Sequence, residues 1–288
     1  MTTSHHQQST IPIHVVVAFG APTTGKTTLL KNLERLNDRA ELGGVHFVTI
    51  HEPTNEPAID ALIKTMYNET KDQIARGESI AALVQTTIMQ RRAQLYTEML
   101  DQFASKTLPV ATKAKRDAIV VVCDGHLLTD DKLYMQSKVD GGQVTAAQQV
   151  VYEAKKAELL ANMHPKFARP AAFFELSIDD TSGGTHVKRI VERDSAAERD
   201  VPEQVFVVLE QYAERTRAAL AEEKFAPIVH RVATDKANPR KVLTEFYQFT
   251  TDRVLKRGGE LAAVAAKKVV ATVEWPRQWC EEVAVEVF

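Results

Sequence analysis

Residues Gly20 to Thr27 read GAPTTGKT, two glycines closed by a lysine and a hydroxyl, a spacing that can hold phosphate. Glycines let consecutive backbone N–H groups curl inward toward an anion, and a helix starting at the lysine adds its positive N-terminal end. Gly20, Ala21, Pro22, Thr23, Thr24, Gly25, Lys26, Thr27 and Thr28 are therefore the expected ATP-binding residues. Lys26 would reach the β- and γ-oxygens, and the Thr27 hydroxyl would take a place on Mg2+. The second metal-binding group expected in such a site is an acid ending a neighbouring apolar strand, and Asp124 after AIVVVC fits. An aspartate there is often a turn former; beside a phosphate loop the metal role is favoured. Glu52, in HEP after another apolar run, is placed to take a proton from an attacking hydroxyl. A solvated loop charge would look the same in sequence.

These residues need a frame to hold them. The apolar stretches Ile11–Phe19, Val45–Ile50, Ala118–Asp124, Ala171–Ile178 and Ala226–Ala233 read as strands. Between them lie helical patterns over Lys26–Leu36, Ile59–Thr70, Ser79–Ala104, Ala146–Met163, Thr185–Arg193 and Pro202–Glu222. Nearly continuous apolar strands alternating with helices predict a three-layer α/β/α fold around a five-stranded parallel sheet, with strand ends lining one crevice. SKTLPVATKAKRD, from Ser105 to Asp117, reads as a basic loop. Residues 1–10 read as a disordered polar tail without the basic and apolar regions of a secretory signal, residues 11–251 as the main domain, and residues 252–288 as an extension packed on it.

Composition narrows the function classes. The chain of 288 residues is 44% hydrophobic and carries a net charge of -2, which suits a globular protein with a full core and excludes a bulk electrostatic grip on nucleic acid. Cys123 and Cys280, the two cysteines, match no metal spacing or disulfide framework, as expected in a reducing cytoplasm. No segment is apolar for long enough to span a bilayer. The guanine-reading NKxD pattern of GTPases is absent, and ATDKANP follows the last strand where kinases with phosphate loops bracket adenine. THVKRIVERDSAAERD places Arg189 and Arg193 four apart on one helical face. They could clamp a transferring phosphoryl group from a mobile lid, although a charge-rich helix is more often a solvated face.

Taken in order, GAPTTGKT, EP after the second strand, VQTTIMQ on a helix, CDGH after the third strand and HVKRIVERDSAAER resemble the deoxynucleoside kinases, with the spacing of the herpesviral thymidine kinases. The resemblance runs from about Val15 to Val242. It implies a phosphotransferase acting on an alcohol group, with ATP and Mg2+, a thymidine-like pyrimidine deoxynucleoside as acceptor and a helical lid. It implies Glu52 as general base, Gln85 paired to the base edge, Tyr134 stacked on the base with Met89 or Ile88 opposite, and Asp124 linked to magnesium. Lys26, Arg189 and Arg193 would act on the phosphates, Glu198 would hold the sugar 3′-hydroxyl, and Lys138 stands where the family often has another basic residue. A homodimer is left open.

Two departures fall near the acceptor hydroxyl and the transferred phosphate. Gly125 stands where the family has an arginine after the strand-three acid, and Ser195 where the lid commonly has a third. The tryptophan that often follows EP is also missing. Losing two cations should weaken phosphoryl transfer unless others replace them. The altered pocket raises an alternative acceptor, the hydroxymethyl group of 5-hydroxymethyluracil in DNA, as in the phage branch of this superfamily. Lys106, Lys113, Lys115, Arg116, Arg91 and Arg92 would then be candidates for a basic rim along the cleft. A third reading, an ATP-dependent regulator without an acceptor, needs none of Glu52, Gln85, Tyr134 or the lid arginines.

Overall fold

A computed structural model of the chain describes residues 11–37, 44–114, 116–192, 201–225, 227–235 and 237–257. The tail at 1–10, the extension beyond 257, and Lys115, Arg193, Ser195 and Glu198 lie outside the described residues. Five strands, β1 (Ile13–Phe19), β2 (Val45–Ile50), β3 (Ala118–Asp124), β4 (Ala172–Ser177) and β5 (Ile228–Ala233), form one parallel sheet in the order β2-β3-β1-β4-β5. Register pairs Val16 with Val122 on one side of β1 and with Ala172 on the other. The strand that delivers the phosphate loop is thus central.

Side chains along a strand alternate between its faces, and both faces here are apolar. Val16 and Ala18 join Leu29, Leu33, Phe47, Phe174 and Phe246 in one core layer. Val15, Val17 and Phe19 join Val84, Met89, Tyr96, Cys123 and Phe173 in the other. The helices are α1 (Lys26–Asn37), α2 (Pro57–Tyr67), α3 (Lys71–Ala75), α4 (Ala81–Gln102), α5 (Leu108–Lys113), α6 (Leu127–Asp130), α7 (Gln136–Asp140), α8 (Ala146–Asn162), α9 (Pro165–Ala168), α10 (Gly184–Glu192), α11 (Glu203–Ala221) and α12 (Pro239–Phe249). The α/β/α architecture expected from the sequence is the architecture found.

One segment differs from expectation. The stretch read as a basic loop is helical: a wide turn over Phe103–Thr107 continues α4 and runs into α5, whose second residue is Pro109. The turn Thr250–Val254 continues α12, and Val254 is buried in the core. Helix α4 matters most for function. Its start is fixed by Glu69, whose carboxylate accepts from the Ser79 hydroxyl at 2.7 Å and the Ile80 N–H at 2.6 Å.

Candidate active site

A cleft of about 1560 Å³ opens at the carboxyl ends of the strands, lined by the phosphate loop, the ends of β2 and β3, one face of α4, and α10. Pockets for one small ligand typically hold roughly 300–1,000 Å³, so this cleft has room for two.

The phosphate loop is shaped by backbone that only particular residues accept. Gly20 has φ +145°, and a Cβ there would sit 2.0 Å from the Leu176 carbonyl oxygen. Thr23 holds φ +67° without being glycine. Its hydroxyl lies 2.7 Å from His186 Nδ1, which is also 3.1 Å from the Pro22 carbonyl, while His186 Nε2 lies 3.4 Å from Glu210. Lys26 Nζ donates to the carbonyls of Gly20 and Ala21 at 3.0 Å, and the Thr24 hydroxyl donates to Ala21 O. Pro22 through Thr28 line the cleft; Gly20 and Ala21, expected as binding residues, lie beneath the loop as its foundation and do not. Arg189 from α10 donates to Thr23 O at 3.1 Å and to Thr234 O at 2.8 Å, joining the lid helix to the loop and to the end of β5.

On the acceptor side the strand ends bring Glu52 and Asp124 to the same cleft. Asp124 is 2% exposed and its Oδ1 has no hydrogen-bond partner among the described residues. Burial pushes its carboxyl up to about 6, against the pull of the neighbouring Lys26. An ionisable oxygen left bare beside the loop, with the exposed Thr27 hydroxyl nearby in the loop, fits the ligand set that magnesium requires. Among the described residues there is no cluster of three or more His, Cys, Asp or Glu that could hold a metal by itself, so the phosphates would complete the set.

Helix α4 sends Val84, Gln85 and Ile88 to the cleft. Gln85 is 6% exposed and presents its amide among the residues that line the cleft. Met89 does not line the cleft: one residue on from Ile88 the helix has turned by ~100°, which sends Met89 into the core, so Ile88 is the wall residue. Tyr134 lines the cleft and its hydroxyl donates to Gly20 O at 3.2 Å, tying the acceptor wall to the phosphate loop. Lys138 is also outside the cleft. Its ammonium sits 5.6 Å from the centre of the Tyr67 ring, a cation–π contact behind a wall residue, and burial lowers its pKa.

Two side chains of this site were not assigned to it from sequence. Asp130 is buried, lines the cleft and titrates near 6 because burial outweighs Arg92. Arg92, expected on a basic rim, is 1% exposed. Its Nε donates to Asp130 Oδ2 at 2.8 Å, Nη1 donates to the Asp124 carbonyl, and Nη2 lies 3.3 Å from Glu52 Oε1. Burial works against its charge, but Asp130, Tyr96, Glu52 and Asp124 more than offset that and raise its pKa. The helical spacing Gln85, Ile88, Arg92 was the available signal for Arg92; nothing in the sequence marked Asp130 apart from its position four residues after His126.

Of the other rim candidates, the described ones, Arg91, Lys106, Lys113 and Arg116, do not line the cleft. Arg91 is paired with Glu56 at 2.7 Å and Glu98 at 2.6 Å. Lys106 donates to Gln102 past the end of α4, and Arg116 is buried just before β3 starts, at the opposite edge of the sheet.

Two solved structures share this fold. Both are of deoxyadenosine kinase from M. mycoides, one with bound dATP (TM-score 0.53) and one with bound dCTP (TM-score 0.56). Each is 15% identical to this chain and covers 82% of it and 99% of the kinase. No protein-family model matches the chain, and no curated protein matches it in sequence. The chain therefore shares the α/β fold of that kinase. Among the described residues no helix is long and apolar enough to cross a membrane.

Proposed function

We propose that the chain is an ATP-dependent deoxynucleoside kinase that phosphorylates the 5′-hydroxyl of a pyrimidine deoxynucleoside. The observation that carries this reading is that a phosphate loop, an acid with an unpartnered oxygen and a carboxylate at the end of β2 face one cleft large enough for donor and acceptor together. A switch or regulator has no use for the acceptor half.

Glu52 takes the proton of the acceptor hydroxyl as its oxygen attacks the γ-phosphorus, and the bond to the β-phosphate oxygen breaks to release ADP. Lys26 and Arg189 offset the charge spread over the transferring group. Thr27 and Asp124 would hold magnesium, whose charge neutralises the β- and γ-oxygens when bound. Gln85, with one donor and one acceptor, pairs with the base edge, and Ile88 and Tyr134 form the walls. Arg193 and Glu198 keep the roles that the family resemblance implies, on the lid and at the 3′-hydroxyl.

The test is label transfer from γ-labelled ATP to thymidine, deoxycytidine, deoxyadenosine, 5-hydroxymethyldeoxyuridine, plain duplex DNA and DNA containing 5-hydroxymethyluracil. Label on pyrimidine nucleosides, lost in Lys26→Ala and Glu52→Gln, is expected. Label on deoxyadenosine alone would overturn the base assignment, label only on modified DNA would overturn the acceptor, and no label would overturn the kinase. Gln85→Ala should raise the acceptor KM and blur discrimination between bases; an unchanged preference removes Gln85 from the site.

A further inference from the structure

Gly125 leaves a gap where the resembled family carries an arginine, and the gap is filled. A Cβ built on Gly125 would lie 2.8 Å from Arg92 Nη2, 3.0 Å from its Cζ and 3.1 Å from Nη1. The guanidinium in that space comes from α4, 33 residues earlier in the chain, and it bridges the two strand ends of the acceptor site through the Asp124 carbonyl and the Glu52 carboxylate. Tyr96, one turn further along α4, donates to the Gly125 carbonyl at 3.1 Å and fixes the glycine against the helix. Asp130 holds the other edge of the guanidinium. Every described contact of Arg92 thus presses it into the notch.

We propose that Arg92 is the positioning residue that replaces the missing strand-end arginine, orienting the Glu52 carboxylate toward the acceptor hydroxyl, and that Gly125 is the notch that admits it. This rests on the kinase reading, with Glu52 as its base. A planar fork suits the task, since one guanidinium can hold a carbonyl and two carboxylates at fixed angles where an ammonium cannot. A Cβ at 125 forces the guanidinium to shift while Arg92 is in place, and the φ of +78° disfavours a Cβ whether or not Arg92 is there.

Steady-state kinetics on wild type, Glu52→Gln, Arg92→Gln, Arg92→Lys, Gly125→Ala and the Arg92→Gln/Gly125→Ala double variant test this, with thermal melts to confirm folding. Arg92→Gln is expected to lower kcat by about 100-fold with the ATP KM little changed, and Arg92→Lys to recover only part of the loss. Arg92→Gln leaves buried Asp130 without its partner, so Gly125→Ala serves as the variant that displaces the guanidinium without deleting it. Its kcat should fall while Asp130 keeps a cation. In the double variant the alanine should cost less kcat than it does alone, because only the backbone strain at φ +78° remains and there is no longer a guanidinium to displace. Losses that multiply, or kcat in Arg92→Gln and Gly125→Ala within about twofold of wild type while Glu52→Gln is dead, overturn the proposal and leave the kinase reading standing. An active Glu52→Gln enzyme overturns Glu52 as base, and the role of Arg92 with it.

Discussion

Replacing Asp124 by asparagine should stabilise the protein while destroying its turnover. The carboxyl is pushed up from 3.8 to about 6, chiefly by burial. Each unit corresponds to ~1.4 kcal/mol, so the ionised form costs the fold ~3 kcal/mol. Because the folded pKa is raised above the unfolded one, the cost is absent below about pH 4, grows as the unfolded chain ionises first, and is complete above about pH 6. Asparagine has the same shape and no charge at any pH. In urea unfolding without magnesium or nucleotide, Asp124→Asn should exceed wild type by ~3 kcal/mol at pH 7.5 and by ~1.5 kcal/mol at pH 5. Glu175, raised to about 7 by burial, is common to both proteins, whereas Asp130, raised to about 6, feels the Asp124 charge, so its easing in the variant adds to the difference in the same direction. A variant no more stable than wild type at pH 7.5, or one whose advantage does not shrink at pH 5, refutes the reasoning. Retained ATP turnover would refute the metal role.

Two further outcomes are expected. Gly20→Ala drives a methyl into the Leu176 carbonyl at a φ open only to glycine, so it should lower stability by ~3 kcal/mol or more, seen as a lowered urea midpoint; a midpoint equal to wild type would mean that the loop relaxes freely. His186→Phe keeps the ring stacked on Phe206 (5.2 Å, 12°) but removes its contacts with Thr23 and Pro22. At ~1 kcal/mol per hydrogen bond it should weaken nucleotide binding by about tenfold or more, measured by titration with a fluorescent ATP analogue. A weakened acceptor affinity with normal nucleotide binding would contradict it.

The sheet was legible because its central strands are dense apolar runs, β3 and β4 buried along their whole length, that little else in this sequence imitates. The phosphate loop was legible because its signature lies within eight residues, although His186, Arg189 and Tyr134 hold it from far along the chain. Ser105 to Lys113 was misread because charge and a proline look like a loop, whereas the wide turn Phe103–Thr107 carries the helix on into α5. Met89 and Ile88 could not be separated because the motif fixes a helix and leaves its phase about the axis free. Arg92 shows the deeper limit. A sequence records a positive charge, but whether it lies in water or in the core depends on partners such as Glu52 and Asp130, which arrive from 40 residues before it and 38 after. Its meaning was set by tertiary context.

The bond from the Tyr134 hydroxyl to the Gly20 carbonyl joins the two halves of the cleft, and so does the hold of Lys26 on the same carbonyl. On the proposed reading, a nucleoside that shifts the tyrosine acts on an oxygen that the lysine releases when phosphate arrives. The two affinities would then be linked, and reciprocity requires that nucleotide change nucleoside affinity by the same factor as nucleoside changes nucleotide affinity. Tyr134→Phe, which keeps the ring and removes the hydroxyl, should remove that link, read as a nucleoside affinity that no longer depends on nucleotide.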